Sequence, residues 1–563
     1  MRIDLKLHFQ PRFFESIKTY NKEKFFADLM SGIIVGIVAL PLAIAFGIAS
    51  GVTPQQGLIT AIIAGFVVSF LGGSNVQIGG PTGAFIVIVY GIIQQYGIEG
   101  LMIATLLAGV MLILMGVFRL GTVIKFIPYP VVVGFTAGIA VTIFTTQIKD
   151  FFGLTIAKTP GDFVGKWATY FQYFNTVNYW ALGMGALSVL LIFNSSKLIK
   201  KIPGSLIAII VMTVAAFLLR KYVGITDIET IGDRFTIQAT LPKPQGFELN
   251  MEVITHLLPP AFTIALLGAI ESLLSATVAD GVTGDRHHAN TELIGQGVAN
   301  ILSPLFGGIP ATGAIARTMT NINNGGRTPV AGMVHAVVLL LILLFLGPLT
   351  KYIPMACLAG VLVVVSYNMS EWRTFKNMLK NPKSDVAVLV TTFLLTVFFD
   401  LTIAIEIGLL LAMLLLLKRL SETSTISIFK HDVSVTDSED HEHEEQLHLP
   451  QGVEVYEIEG PFFFGIASKF DEVTQVVGKK PKVRIIRMRK VPFIDSSGIH
   501  NLETLLRNAK KENIQIILSG VNPAVQGTLT KAGITERLGE EFVCNHITIA
   551  VEKAKQFVGE TTK

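Results

Sequence analysis

Long apolar runs separated by short polar stretches dominate this chain. Ile33 to Val52, Leu101 to Val117, Thr328 to Pro348 and Leu401 to Leu417 each carry at most one charged residue. Each approaches the roughly 20 residues that cross a hydrocarbon core of about 30 Å. Fourteen such segments are read, some short. The first seven lie near 30–50, 56–72, 80–95, 99–118, 128–147, 178–194 and 203–220. The second seven lie near 256–279, 290–306, 311–323, 328–348, 351–367, 384–399 and 401–419. The pattern predicts a polytopic α-helical membrane protein with a transport domain over 30–420.

The polar positions between these segments orient them. Residues 1–29 carry Arg2, Lys6, Arg12, Lys18, Lys22 and Lys24 and no cleavable signal pattern, and are expected on the cytoplasmic membrane surface. With the N-terminus inside, the inner loops hold Arg119 and Lys125, Lys197 with Lys200 and Lys201, and Arg373 with Lys376, Lys380 and Lys383. Lys418 and Arg419 close the last span. This is the positive-inside pattern, with both termini cytoplasmic. Segment 222–252 is polar and falls outside, where it is read as a short hairpin or loop around Arg234 to Leu241.

The two halves share a register. Gly51-Val52-Thr53 returns as Gly281-Val282-Thr283, and Thr82-Gly83-Ala84 as Thr312-Gly313-Ala314, both 230 residues on. Gly65 with Gly295 and Val68 with Val298 fall on the same offset. Seven spans per half is an odd number, so a duplicated second half inserts upside down. The repeats, about 30–220 and 256–420, are therefore inverted. Transporters built this way hold substrate between the repeats, at broken helices near the bilayer midplane.

Composition narrows the class. A hydrophobic content of 51% against 15% charged residues excludes a string of soluble domains. The net charge of +4 suggests no nucleic-acid partner. Cys357 and Cys544 offer neither a disulfide framework nor a zinc cluster. No P-loop, catalytic triad or zinc-ligand spacing is found, so no enzyme and no cofactor is expected.

After Leu420 the character changes. Residues 421–450 read as a linker whose acidic stretch carries histidines; His431, His441, His443 and His448 fit a solvated tether better than a metal site. Residues 451–563 then alternate short buried strands (Val453 to Ile458, Val483 to Met488, Ile514 to Ser519) with helical patterns (Ser468–Val477, Ser497–Lys511, Pro523–Ala532). That alternation predicts a small α/β domain. Asp495 or Ser496 can cap its helix at Ile494-Asp495-Ser496-Ser497-Gly498; a phosphorylatable serine (Ser496, Ser497) or an anion contact is the other reading.

The chemistry concentrates in the third and tenth segments. Gly79-Gly80-Pro81-Thr82-Gly83-Ala84 cannot continue a helix, and proline suits a helix's first turn. Gly307-Gly308-Ile309-Pro310-Ala311-Thr312-Gly313 repeats the pattern. Two helix N-termini meeting in mid-membrane would offer unpaired N–H groups and partial positive charge, which suits an anion. Thr82 and Thr312 can add donors, and Arg317 can strengthen the positive potential. The alternative is that Gly and Pro only kink or pack the helices. Glu271 is a carboxylate inside an apolar span, where a charge costs at least ~2.5 kcal/mol. It is suited to take up and release a proton, with Ser275 one turn away; the other reading pairs it structurally with Arg317 or a backbone N–H. Asp400 reads as a helix cap, Glu406 as an interhelix contact, and His335 as a packed polar residue.

These residues resemble a known family. Pro41 within Ala39 to Phe46, Gly79 to Ala84, Thr312 to Arg317 and Gly325-Gly326-Arg327-Thr328-Pro329 look like the SulP sulfate permease family. Its animal members include chloride/bicarbonate exchangers and prestin. Ile494 to Gly498, after fourteen spans, resembles a STAS domain. The resemblance implies a 7+7 inverted repeat of core and gate domains, an elevator-type motion and a homodimer in a bacterial inner membrane. It implies an anion held by Phe46, Pro81, Thr82, Gly83, Ala84, Thr312, Gly313, Ala314, Ala316 and Arg317, with Glu271 and Ser275 at the coupling-ion position. Relatives coupled to sodium look as if they use Asp there and proton-coupled ones Glu, so Glu271 favours H+ over Na+. The animal exchangers often carry Ser where this chain has Ala316, which removes one hydroxyl donor. The expectation is secondary active transport of sulfate, bicarbonate, chloride or a dicarboxylate as a proton symport. A nucleobase-type permease of the same fold, or an uncoupled anion channel or sensor, is the alternative.

Overall fold

The computed structural model describes residues 9–559 apart from 123–126, 158, 199–203, 226, 237–239, 241–243, 245, 247–250, 400, 435–445 and 466–479. Each of the fourteen apolar segments has a helical counterpart. In the first half these are α1 (Lys22–Ala49), α2 (Pro54–Leu71), α3 and α4, α5 (Tyr129–Phe152), α6 (Tyr179–Leu198) and α7 (Gly204–Leu218). The helix Ile86–Val117 is interrupted at Gly97, whose φ of 71° and ψ of −175° end α3 (86–96) and begin α4 (98–117). In the second half follow α8 (Met251–Thr283), α9 (Ala289–Leu305), α10 (Ile315–Asn323), α11 (Pro329–Leu346), α12 (Met355–Met369), α13 (Lys383–Phe398) and α14 (Leu401–Thr423).

Packing repeats between the halves. α4 packs on α8 and α9 as α11 packs on α1 and α2, while α5 packs on α12 and α13 and α12 in turn packs on α6. Helices α1–α4 thus combine with α8–α11 as a core, and α5–α7 with α12–α14 as a gate. Close approach inside the core depends on paired small residues, as membrane helix interfaces do. A Cβ at Gly109 of α4 would stand 2.7 Å from the Gly297 carbonyl oxygen, and one at Gly297 would stand 2.6 Å from the Gly109 carbonyl oxygen. The buried Asp28 ties α1 to the start of α11. It accepts from the backbone N–H of Arg327 (2.8 Å) and Thr328 (3.2 Å), from the Thr328 hydroxyl (2.5 Å) and from the Tyr20 phenol (3.2 Å). Burial, with the Asp28 charge beside it, pushes that phenol up to about 12, so Tyr20 remains a donor.

Only some helices are full spans. Among the described residues, eight helical stretches are long and apolar enough to cross a membrane. α10, with nine residues, reaches about 13 Å, less than half of a hydrocarbon core. Outside the helices, Arg234 bonds Asp150 at 2.6 Å and also Glu229. Most of the hairpin expected after Arg234 lies outside the described residues, as do Asp400, Lys125, Lys200 and Lys201.

The C-terminal unit, from Met413, forms a five-stranded sheet in the order β3 (Thr425–Phe429), β6 (Val453–Glu459), β7 (Val483–Lys490), β8 (Gln515–Ser519), β9 (Val543–Cys544). β4 (Asp432–Ser434) and β5 (Gln446–His448) pair separately. β3 runs antiparallel to β6 and the other neighbours are parallel. Val455, Ile485 and Ile517 face Val551 and Ala554 of α18 (Ile547–Val558). Ile458, Ile486 and Leu518 face α15 (Ser496–Lys511) and α16 (Pro523–Lys531), with α17 (Ile534–Leu538) closing that side. Burial on both faces explains the unbroken apolar strands. β3 forms in a stretch that the sequence reads as linker, because its Ile426 and Ile428 find apolar cover against β6. The helix expected over Ser468–Val477, and His441 and His443, lie outside the described residues; His448 bonds Asp432 at 2.7 Å.

Gly297→Leu is expected to lower stability by about 1–3 kcal/mol through overpacking against α4. Gly183→Leu on α6, where a Cβ meets nothing within 4 Å, should leave it unchanged. Thermal midpoints in detergent decide; equal midpoints would refute the close α4–α9 approach.

Candidate functional site

The two Gly/Pro segments meet. β1 (Gly79–Gly80) pairs antiparallel with β2 (Thr312–Gly313), Gly79 opposite Gly313 and Gly80 opposite Thr312. Continued by one residue, this register sets Pro81 opposite Ala311, and those two residues are separated by the same 230 positions as the repeated tripeptides. The bridge is therefore centred on the pseudo-twofold relation of the halves.

Non-helical backbone inside a membrane needs every polar group satisfied within the protein. Here side chains of both halves supply the partners. Ile309 N–H donates to the Thr60 hydroxyl (2.7 Å), and Ser303 donates to the Ile309 carbonyl (2.7 Å). Asn300 takes both backbone groups of Ala311, at 2.8 and 2.9 Å. Ile78 N–H donates to Thr318 (3.1 Å), the Ile78 carbonyl accepts from Ala314 N–H (2.9 Å), and Asn321 donates to the Val76 carbonyl (2.8 Å).

The helices start later than the sequence suggests. Pro81 and Thr82 remain extended, a 3-10 turn covers Gly83–Phe85, and α3 follows. In the second half Ala314 is still extended and α10 begins at Ile315. The strand pairing holds 79–80 and 312–313, so helix can begin only beyond them. Uncommitted N–H donors therefore belong to Gly83 and Ala84 on one side and Ile315, Ala316 and Arg317 on the other. Gly83 faces Met369, Ile143 and the Phe46 ring, at 2.9, 3.3 and 3.6 Å from a Cβ placed there. Among the described residues the buried Thr82 hydroxyl finds no hydrogen-bond partner, whereas Thr312 donates to the Gly268 carbonyl of α8 (2.9 Å). A Cβ at Gly313 would overlap Gln77.

Arg317 is 2% exposed and reaches across the bridge to β1. Its guanidinium donates to the Gly79 carbonyl at 3.4 Å and to the Pro81 carbonyl. Among the described residues it has no carboxylate partner, so the structural pairing of Glu271 with Arg317 is not formed. Gly80 lies directly over it with φ 145°, a position where a Cβ would overlap the guanidinium.

Glu271 and Ser275 are one turn apart on α8 but meet different neighbours. Ser275 stands 3.3 Å from the Thr318 hydroxyl. Glu271 borders a void of about 10 Å³ between core and gate, lined by Val131, Phe135 and Thr136 of α5, Ile405 of α14 and Leu267. Its carboxyl makes no hydrogen bond or ion pair among the described residues. Glu292, which sequence reasoning passed over, is the opposite case. It is fully buried and accepts from Gly73 N–H (2.8 Å), Gln77 (2.8 Å), Ser272 (3.0 Å) and Gln296 (3.0 Å). A carboxylate inside an apolar segment was the available signal, the same one that singles out Glu271. Glu406 is exposed rather than in an interhelix contact, and His335 is fully buried, as a packed polar residue would be. In the C-terminal unit, Asp495 caps α15 by accepting from Gly498 N–H (2.8 Å), and Ser496 is exposed beside it.

Fold and site define a helical membrane transporter with a STAS domain, and comparison with known proteins agrees. Residues 25–392 match the sulfate permease family and residues 446–550 the STAS domain. The chain belongs to the sulfate permease family. It is 44% identical to the Bacillus subtilis protein named "Putative sulfate transporter YvdB", over 95% of this chain and 99% of that one. It is 30% identical to the bicarbonate transporter BicA of a Picosynechococcus strain, over 91% of each chain. The murine anion transporter Solute Carrier 26 family member A9 shares the fold, with a TM-score of 0.84 at 20% identity over 97% of this chain and 94% of that one. The relatives are transporters, not enzymes.

Gly83→Val is expected to weaken anion affinity roughly 5- to 150-fold, the equivalent of about 1–3 kcal/mol of overpacking. The flexible Met369 can yield, so the protein should still fold. Wild-type KM for anion uptake in this variant would place the site elsewhere.

Proposed function

We propose that the protein is a secondary active transporter that carries a small inorganic anion together with a proton. The anion lies between the N-termini of α3 and α10. The observation that carries this reading is Arg317: among the described residues, a buried guanidinium without a carboxylate partner, bonded to the Gly79 and Pro81 carbonyls next to two sets of uncommitted N–H groups. An uncompensated buried charge is costly, and a bound anion supplies the missing counter-charge. Helix N-termini add partial positive charge on the same side. Glycines allow the anion to approach the backbone, and the partnerless Thr82 hydroxyl is a further donor. Relatives named as sulfate and bicarbonate transporters support an oxyanion as cargo.

Glu271 is the coupling group in this reading. A sodium ion needs several oxygen ligands, and the walls around Glu271 offer one hydroxyl, Thr136, which already donates to the Val132 carbonyl at 2.9 Å. A void of about 10 Å³ holds at most one water. A proton needs neither. Its arrival also removes the charge that opposes contact between α8 and the apolar face of Phe135 and Ile405. The neutral acid lets the core slide along the gate in an elevator-type step, and the ionised acid resists it. Cargo and proton communicate through α8, because Gly268, which holds Thr312, is one turn from Glu271.

In proteoliposomes, Glu271→Gln is expected to abolish the acceleration of anion uptake by an inward proton gradient, a loss within the roughly 5- to 150-fold range of coupling effects. Anion exchange without a gradient should persist. Proton-driven uptake equal to wild type would remove Glu271 from the coupling role.

A further inference from the structure

Lys166 lies on the short helix Phe163–Gln172 that follows α5, far from Arg317 in sequence and on other elements. It is 4% exposed, an unusual depth for a lysine. Its ammonium stands 5.2 Å from the centroid of the Tyr90 ring on α3. Among the described residues it forms no ion pair, and its side chain makes no hydrogen bond. The charges around it are already engaged. Arg234 is paired with Asp150 at 2.6 Å, Lys149 donates to the Ile156 carbonyl at 2.7 Å, and Asp162 caps the helix of Lys166 by accepting from Gly165 N–H at 2.6 Å. Burial lowers the Lys166 ammonium from its ordinary value, and Asp162 only partly opposes the shift.

This side chain borders two cavities that share Tyr90, Thr146 and Lys166 in their walls. The larger, about 650 Å³, follows α3 from Ile86 to Tyr96. The smaller, about 180 Å³, lies between α1 and α12 and adds Gln147 and Tyr170 to the polar lining. The smaller one reaches Ala45 and Leu362. Ala45 precedes Phe46, the residue whose ring stands over Gly83. Under the N-in orientation these cavities open toward the outer ends of α1, α3 and α5.

We propose that Lys166, with Tyr90, Thr146 and Gln147, forms a second anion site, which captures a small inorganic anion from outside before it passes Phe46 to the bridge. Three facts argue for an anion as occupant. The ammonium is buried without an ion pair among the described residues, and the more distant Asp162 and a cation–π contact offset only part of that cost. The Gln147 amide beside it donates one N–H to the Thr146 hydroxyl (2.8 Å), which itself donates to the Ile143 carbonyl (2.7 Å), and keeps a second N–H, while the Lys149, Asp150 and Arg234 charges in the lining are engaged as described. The cavities connect the lysine to the neighbourhood of the central site, where the same ligand chemistry is recognised. A positive group inside a low-dielectric cleft also raises the local anion concentration, so its effect belongs to capture rather than translocation. The proposal rests on the anion-transport reading but on none of the residues of the bridge.

The test is initial-rate uptake of labelled sulfate and labelled bicarbonate into proteoliposomes. It compares wild type with Lys166→Gln, Lys166→Arg and the pair Thr146→Val with Gln147→Ala. Lys166→Gln should raise KM about tenfold or more, leave the maximal rate within roughly twofold, and flatten the dependence of KM on ionic strength. Lys166→Arg should restore the low KM. If Lys166→Gln does not fold by its thermal midpoint, the Thr146/Gln147 pair decides by the same KM criterion. Wild-type KM in the folded variants overturns the second site alone, as does a loss of maximal rate at unchanged KM. Wild-type protein that carries neither anion overturns the transport reading and this site with it.

Discussion

The antiparallel bridge of Gly79–Gly80 with Thr312–Gly313 is the contact on which the rest of the transport domain depends. Two helices stop inside the membrane, and their free ends cannot be hydrated by lipid. Pairing the two broken segments with each other removes part of the deficit. Asn300, Ser303, Thr60, Thr318 and Asn321 remove more, each with a hydrogen bond to backbone of the broken segments. These polar side chains sit on α2, α9 and α10, which explains why helices so rich in apolar residues retain them. The N–H groups that remain uncommitted among the described residues lie just beyond the bridge, where the proposed anion is placed.

The same frame separates two acids of the apolar segments that look alike in sequence. Glu292 stands among four donors, which hold it in place. Glu271 stands among Phe135, Ile405 and Leu267 without a donor among the described residues. One acid fixes α8, α9 and the bridge within the core. The other borders the gate, where the proposed elevator-type movement takes place. Position relative to the core–gate boundary, not acidity of the residue type, assigns the roles.

Much of this was legible in the sequence, for identifiable reasons. Apolar length alone placed fourteen segments, because a helix in lipid must be apolar along its run. Gly-Gly-Pro and Gly-Gly-Ile-Pro marked the two interruptions, because proline and glycine act locally. What stayed hidden depends on distant partners. The strand register needs residues 79 and 313 side by side, and no local pattern announces a two-residue strand. Arg317 was read as a contribution to potential; its guanidinium also clamps β1, a contact across 238 positions for Gly79. Gly83 and Ile315, rather than Pro81 and Thr312, begin the helices because the bridge takes precedence over local helix preference. β3 was missed because a short amphipathic stretch after a polar helix end becomes a strand only when β6 covers it.

The departures from symmetry carry the directional chemistry. At the 230-residue offset Arg317 corresponds to Val87, and Glu271 to Pro41. Val87 lines the large cavity along α3, while Pro41 is buried within α1. Thus β1 is held by an arginine from the other half, and among the described residues no cation holds β2, whose Thr312 is tied instead to α8 through Gly268. A perfectly symmetric bridge would place two uncompensated cations at the site and hold a small anion too firmly for release. One arginine gives a single counter-charge. The opposite half, freed of that duty, can present an apolar wall and an open cavity along α3. In the proposed reading, duplication supplies the seat, and the unequal halves supply an anion path on one side and a proton-responsive contact on the other.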